Sequence, residues 1–211
     1  MSEAKLTEVI PGIEHWSGIH PGHGMLVHSH YLTRQRAAID PVGADGLIDA
    51  LRAAGGVEQV VLSNRHHLRA SEEIAAEFGA AIRVPRAGLH DFEGPGTPEV
   101  IAYDWGDEVV EGVIAYEVGS LAPDDGALHI SVGPGALSLA DSVMSDDDGL
   151  GFVPDGLMDD PPRTKEGLLE AFRRLLDLEF DVLLMAHGAP LPAGGRAALA
   201  AFTEAPRSIS F

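Results

Sequence analysis

The feature that most constrains the fold is an apolar strand that ends in polar and basic side chains directly before a helix. Residues 60–69 read VVLSNRHHLR, and the apolar spacing after them predicts a helix that begins near Ser71 and is ended by Gly79. Because α/β proteins place their ligand sites where strands end, this segment indicates the position of the chemistry. Its paired histidines indicate a metal site or the remnant of one.

The N-terminal part of the chain predicts the order strand, strand, helix, strand, helix. These elements are placed at residues 25–32, 36–39, 45–54, 57–63 and 71–78. The helices are predicted from apolar residues at helical spacing, and the strands from short apolar runs bounded by glycine, proline or aspartate.

The middle of the chain has the pattern of a second sheet. Short segments rich in Val, Ile and Tyr are separated by Gly, Pro and Asp turns, as in an antiparallel meander. These strands are placed at residues 81–84, 99–103, 107–110, 112–118, 127–132 and 136–140. Residues 141–163 are expected to form a loop, because they are polar and interrupted by proline.

The C-terminal part returns to strands followed by helices. Thr164 is expected to cap a helix whose leucine and phenylalanine side chains line one face, and a last helix is placed at 193–202. Between the two helices, the apolar strand 181–185 leads to His187. The two halves of the chain therefore share one layout.

Composition excludes several classes of protein. With 211 residues the chain can bury one large core, so we expect a single domain over 1–211. It has no cysteine, and a metal would have to be bound by His, Asp or Glu. The net charge of -19 disfavours nucleic acid and membrane lipid as partners. Since no apolar run reaches the ~18 residues that span a bilayer and the N-terminus lacks a signal-peptide pattern, we expect a cytoplasmic protein.

Four features, in order along the chain, resemble the metallo-β-lactamase superfamily. They are Ser29-His30-Tyr31-Leu32 followed by Ala38-Ile39-Asp40-Pro41, the strand end at Ser63, the strand Leu137-Ser138-Leu139-Ala140-Asp141, and Met185-Ala186-His187-Gly188. The resemblance covers nearly the whole chain and implies an α/β fold, a four-layer αβ/βα sandwich of two mixed β-sheets with helices on the outer faces. It also implies a metal-dependent hydrolase of an ester, thioester or lactone.

The main motif of that superfamily, His-x-His-x-Asp-His, is changed in this chain. Asn64 stands at the first histidine, Leu68 at the aspartate and Arg69 at the last histidine, so that only His66 is kept. A further histidine of the superfamily should lie near residues 118–120, where this chain has none. A pair of metals would therefore lack ligands.

Two later positions match ligands of the superfamily. Asp141 corresponds to the aspartate that bridges two metals, and His187 corresponds to the final histidine. With His66 they would make a set of two histidines and one carboxylate, which suits a single zinc, iron or manganese ion, and Asp141 would also be catalytic. His67 and His90 are further candidates for a ligand. The N-terminal histidines could also supply one; they are His15, His20, His23, His28 and His30.

The substitutions in the motif also favour a different use of the pocket. Arg65 and Arg69 flank the strand end just before a helix, and with Asn64 they could bind phosphate or carboxylate. The protein would then be a pseudoenzyme that binds an anionic small molecule and has no metal cofactor. Alternatively, Arg69 could pair with Asp141 and serve only the structure.

An iron oxygenase is a third alternative, because the ligand set also suits mononuclear iron(II). In all three cases the expected partner is a small molecule. The sequence leaves a homo-oligomer open.

Overall fold

Two β-sheets pack against each other in the computed structural model, which describes residues 4–209. Residues 1–3 and 210–211 lie outside that range. The prediction that the N-terminus lacks a signal peptide therefore falls partly on residues that are not described. No helix within the described range is both long enough and apolar enough to cross a membrane.

The first sheet contains seven strands that lie side by side in sequence order. They are β1 (Thr7–Ile10), β2 (Ile13–Ile19), β3 (Leu26–Leu32), β4 (Ala37–Ile39), β5 (Gln59–Val61), β6 (Ala81–Pro85) and β7 (Val100–Tyr103). Strands β1 to β4 are antiparallel, whereas β4 to β7 are parallel. The parallel part requires crossovers, and these carry helices α1 (Leu47–Ala53) and α2 (Ser71–Phe78).

The second sheet contains six strands in the order β12, β11, β10, β9, β8, with β13 parallel to β11. They are β8 (Glu108–Val110), β9 (Val113–Glu117), β10 (Gly126–Ile130), β11 (Ala136–Asp146), β12 (Gly149–Gly151) and β13 (Val182–His187). Helices α3 (Pro161–Leu175) and α4 (Gly195–Glu204) pack against this sheet.

Apolar side chains form three core layers, and strand β5 contributes to two of them. Val60 packs with residues of α1 and α2, while its neighbour Val61 packs with residues of the second sheet. Since successive side chains of a strand point to opposite faces, a strand covered on both faces must be apolar throughout. The predicted four-layer sandwich of two mixed sheets with helices outside is therefore confirmed.

Four local predictions were wrong. The segments 81–84 and 99–103 were predicted in the second, antiparallel sheet, but they form β6 and β7, parallel strands of the first sheet. Strands β1 and β2 were not predicted, because their polar and aromatic residues mask the alternation. The segment 141–163 is not all loop, since β11 continues to Asp146 and pairs with β12. Helix α3 begins at Pro161, where the side chain of Asp160 accepts a hydrogen bond from the backbone N of Arg163 (3.3 Å), so Thr164 is not its cap. Proline is tolerated there because the first helical turn needs no N–H donor.

Candidate metal centre

The ends of strands from both sheets meet at one cleft of about 660 Å³. Strands β4 and β5 are parallel neighbours, so the residues that follow them lie at the same edge of the first sheet. Asp141 of β11 and His187 at the end of β13 come from the second sheet. The apolar part of the lining consists of Met25, Leu121, Ala122, Met144, Val153 and Leu157.

His67 is held between two carboxylates in the floor of this cleft. Its Nε2 lies 3.0 Å from Oδ1 of Asp141, and its Nδ1 lies 3.1 Å from Oδ1 of Asp40. The ring is 1% exposed. Burial opposes a charge on this ring, but Asp141 and Asp40 outweigh that effect and raise the pKa of His67 to about 9.

Asp141 joins two histidines. Its Oδ1 accepts hydrogen bonds from Nε2 of His67 and from Nε2 of His187, the latter at 2.9 Å, and its Oδ2 accepts one from Nδ2 of Asn64 at 2.8 Å. Burial alone would raise the pKa of Asp141, but the charge of His67 and the bonds from both histidines hold it well below its usual value. One ligand atom each of His67, Asp141 and His187 lies within 4.8 Å of the other two.

Asp40 supports this cluster from behind. Oδ1 of Asp40 accepts a hydrogen bond from the backbone N of Ser63 at 2.7 Å, and the Ser63 hydroxyl donates to Oδ2. Asp40 has a φ of 48°, a conformation that is uncommon for residues other than glycine. A carboxylate bonded to the far nitrogen of a histidine is the usual outer partner of a metal ligand, because it fixes the tautomer and the direction of the ring.

The structure brings Asp141 and His187 together as expected, but with His67 rather than His66. Residues Arg65–His67 form a short 3-10 turn, which Asn64 caps by accepting a hydrogen bond from the backbone N of His66 at 2.9 Å. Consecutive side chains of such a turn point about 120° apart, because it has three residues per turn. His67 therefore points inward, and His66 is exposed at the rim of the cleft.

The remaining predicted residues have different surroundings. The guanidinium of Arg65 pairs with the fully buried Asp124 and, through Nε, with Asp91 at 3.0 Å, so it is not free to bind an anion. His90 is 62% exposed and lies near Asp91, outside the cleft. Asn64 lines the cleft and donates a hydrogen bond from Nδ2 to Oδ2 of Asp141.

Arg69 lines the cleft and does not pair with Asp141. No carboxylate of the described residues lies within 4.0 Å of its guanidinium, whose one hydrogen bond runs from Nη1 to the backbone O of Asp40 at 3.4 Å. Its Nε is buried without a partner.

The N-terminal histidines form two groups. His20 and His23 stack at the cleft with ring centroids 3.8 Å apart. His15, His28 and His30 lie together on β2 and β3, with Nε2 of His15 at 2.7 Å from Nδ1 of His28. Burial and neighbouring histidines lower the pKa of His28 to about 4 and that of His30 to about 3.

Two site residues were missed at the sequence level. Asp40 is named only as part of the resemblance and is given no role at the site. An aspartate directly after the buried strand beside β5 is a signal that could have indicated one. Asp125, which lines the cleft, is fully buried and accepts a hydrogen bond from the backbone N of Asp141 at 3.2 Å. Burial, with the charge of Asp141, raises the pKa of Asp125 to about 8.

The fold is similar to solved structures of metallo-β-lactamases, while the sequence matches no protein-family model and no curated protein. A metallo-β-lactamase family protein from Thermus thermophilus has 17% identity and a TM-score of 0.64, over 93% of this chain and 80% of that one. A β-lactamase domain protein from Burkholderia ambifaria has 16% identity and a TM-score of 0.65, over 94% and 75%. A third structure, of a protein in a di-iron-bound form, has 18% identity and a TM-score of 0.60, over 92% and 96%. This chain therefore has the metallo-β-lactamase fold.

Proposed function

We propose that this protein is a metal-dependent hydrolase whose single divalent metal is held by His67, Asp141 and His187. The observation that carries the proposal is the meeting of these three side chains at one point of the cleft, although they come from three separate segments of the chain. Two histidines and one carboxylate are a donor set that suits zinc, iron(II) or manganese.

The geometry of the cluster fits such an ion. Adjacent ligand atoms of an octahedral metal, as in a facial set of two histidines and one carboxylate, subtend a right angle and are about 3 Å apart when each lies about 2.1 Å from the metal. Oδ1 of Asp141 lies 3.0 Å from Nε2 of His67 and 2.9 Å from Nε2 of His187. Asp40 supplies the outer hydrogen bond that orients His67.

The surroundings favour one metal over two. Asn64 and Arg69 occupy the motif positions where a second ion would need histidines, and a guanidinium repels a cation. In residues 4–209 no second group of three ligand side chains comes equally close together. The structure therefore offers three ligands and open space beside them.

A divalent metal in this position would act as a Lewis acid and would generate a water nucleophile at neutral pH. The chain's own residues prepare the site for that chemistry. Asn64 donates a hydrogen bond to Oδ2 of Asp141, which leaves Oδ1 directed at Nε2 of His67 and Nε2 of His187, where a metal would replace the protons. The apolar walls suit the apolar part of an ester, thioester or lactone and limit the access of bulk water.

Metal analysis tests the proposal. Protein purified without added metal is incubated with zinc, iron(II) or manganese, passed through a desalting column and measured by elemental analysis. We expect about one ion per chain in the wild type and less than about 0.1 in His67→Ala and His187→Ala, because each variant leaves only two ligands.

His66→Ala is the matched control, since it removes an imidazole next to His67 that points to the rim. It should keep the metal content of the wild type. A wild-type protein that takes up none of the three metals, or a His67→Ala variant that keeps its metal, would refute the proposal. Simple p-nitrophenyl esters, thioesters and lactones are then tested as substrates. Hydrolysis that is lost with a chelator and restored by the metal would identify the bond that is cleaved.

The two alternatives receive less support. An anion held jointly by Arg65 and Arg69 would require Arg65 to leave its two carboxylates. An iron oxygenase would use the same three ligands, and it is distinguished by dioxygen consumption in the iron(II)-loaded protein.

A further inference from the structure

The cleft contains a half-buried cationic side chain that forms no ion pair with a carboxylate of the described residues. Arg69 has no ion pair within 4.0 Å in residues 4–209, and its Nε is buried without a hydrogen-bond partner. Leaving a buried donor unpaired costs free energy, and a ligand that accepts a hydrogen bond from Nε would remove that cost. In a chain with 33 acidic and 14 basic residues, carboxylates to pair with it are abundant.

The backbone holds Arg69 in an uncommon conformation. Its φ is 36°, in the left-handed region that residues with a β-carbon rarely adopt. The next residue is fixed by a hydrogen bond from the backbone N of Ala70 to the backbone O of Pro41 at 3.1 Å. Strain of this kind persists only where the surrounding structure enforces it, and it is concentrated at ligand sites.

The charges of the cleft favour an anion, although the molecule as a whole is acidic. Two carboxylates line the cleft, Asp125 and Asp141. Asp141 is already bonded by His67 and His187, and neither carboxylate reaches Arg69. The guanidinium is therefore the fixed charge that an incoming molecule meets beside the three ligands.

We propose that Arg69 is a specificity residue that binds an oxyanion group of the substrate, a carboxylate or a phosphate, next to the metal centre. This inference rests on the proposed function for the reaction itself but not for the binding. A planar guanidinium fork binds either oxyanion through two parallel hydrogen bonds. The substrate class is accordingly an ester, thioester or lactone that carries an acidic group close to the bond that is hydrolysed.

Calorimetric titration of the purified protein tests this assignment. The probes are benzoate, inorganic phosphate and, as a neutral match for benzoate, benzamide. We expect wild-type protein to bind at least one of the two anions at least tenfold more tightly than benzamide. Arg69→Gln should lower the affinity for that anion by about 10- to 100-fold and leave the affinity for benzamide unchanged. This is the effect expected from the loss of a charge-assisted pair of hydrogen bonds.

Arg163→Gln is the matched control, because it removes one exposed positive charge in the first turn of α3, and it should bind the anion as the wild type does. Arg69→Lys keeps the positive charge but loses the planar guanidinium, and it should lower the affinity for the anion by about 3- to 10-fold. If Arg69→Gln does not fold, Arg69→Lys decides the question. Unchanged affinity in a folded Arg69 variant, or no preference for an anion in the wild type, would overturn the assignment.

The same samples separate this inference from the proposed function, since their metal content is measured as well. Arg69-dependent anion binding by a protein that takes up no metal would support the oxyanion site and refute the hydrolase. Metal uptake without a preference for an anion would support the metal centre and refute the oxyanion site. The anion with the higher affinity distinguishes a carboxylate from a phosphate substrate.

Discussion

Asn64 caps the turn that points His67 into the floor of the cleft and His66 to its rim. Its side chain oxygen caps the turn at His66, and its amide donates to Asp141, so one residue fixes both the turn and the carboxylate. A histidine at this position could have been a ligand. The asparagine instead orients Asp141, one of the three proposed ligands.

Removing Asn64 should weaken the metal centre without removing a ligand. We expect Asn64→Ala to lower the metal affinity by about 10- to 100-fold, the usual effect of losing a partner that orients a ligand. Competition titration against a chelator with a known affinity gives the change. His66→Ala should lie within a factor of about two of the wild type, and an equal loss in both variants would argue against this role for Asn64.

The buried histidines His28 and His30 should make the protein sensitive to acid. Their folded-state pKa values, about 4 and about 3, lie below the ordinary value of 6.5. The unfolded chain therefore binds more protons as the pH falls below 6.5, and stability is lost between that pH and the folded-state values. The loss should be on the order of 2 kcal/mol per histidine at about pH 4.5.

Urea unfolding at pH 7 and about pH 4.5 measures this loss. His30→Gln should reduce the difference in the free energy of unfolding between pH 7 and about pH 4.5, whatever its effect on stability at pH 7. His90→Gln, at a side chain that is 62% exposed, should leave the difference unchanged. A pH difference in His30→Gln equal to that of the wild type would contradict the prediction.

Strand β11 shows how an element can be extended by its neighbours. Its pairing with β13 shifts register between Leu139 and Met144, and Asp141 lies within that irregular stretch. Irregular strand pairing is frequent next to active sites, where it redirects a side chain. The sequence predicts a strand only to residue 140, because the polar residues after it are typical of a loop in isolation. They are strand residues here because β12 and β13 pair with them.

The cap of α3 can be tested directly. Asp160→Ala should lower the free energy of unfolding by about 1 kcal/mol, since it leaves the backbone N–H of Arg163 without its acceptor. Thr164→Ala should change it by less than about 0.5 kcal/mol, because Thr164 lies inside the helix. Chemical denaturation of both variants gives the comparison. A larger effect at Thr164 would restore the cap predicted from the sequence.

The layout of the whole molecule could be predicted, whereas the preference for His67 over His66 beside Asp141 and His187 could not. The resemblance of four segments to the metallo-β-lactamase superfamily was enough for the four-layer sandwich and for placing Asp141 and His187 at one site. Asp141 lies within β11, and His187 ends β13. One short turn, Arg65–His67, brings His67 rather than His66 next to Asp141 and His187, and a sequence motif does not carry that local geometry. The partner of Arg65, Asp124, is distant in sequence, and so its pairing gave no signal.

Metal binding should stabilise the entire fold, because its ligands join both sheets. A free metal concentration of roughly 1,000 times Kd adds about 4 kcal/mol to the free energy of unfolding. Thermal unfolding with and without metal should show a higher Tm for the wild type and for His66→Ala. His67→Ala should show no increase, and a metal-dependent increase in that variant would indicate binding elsewhere.

The division of the ligands between the two sheets has a practical consequence. His67 follows β5 in the first sheet, while Asp141 and His187 belong to strands of the second. A chain cut in the turn 104–107 between the sheets would place one ligand in the first fragment and two in the second. If the mixed fragments bind a metal that neither fragment binds alone, the two halves have reassembled. Metal content would then measure complementation of the two halves.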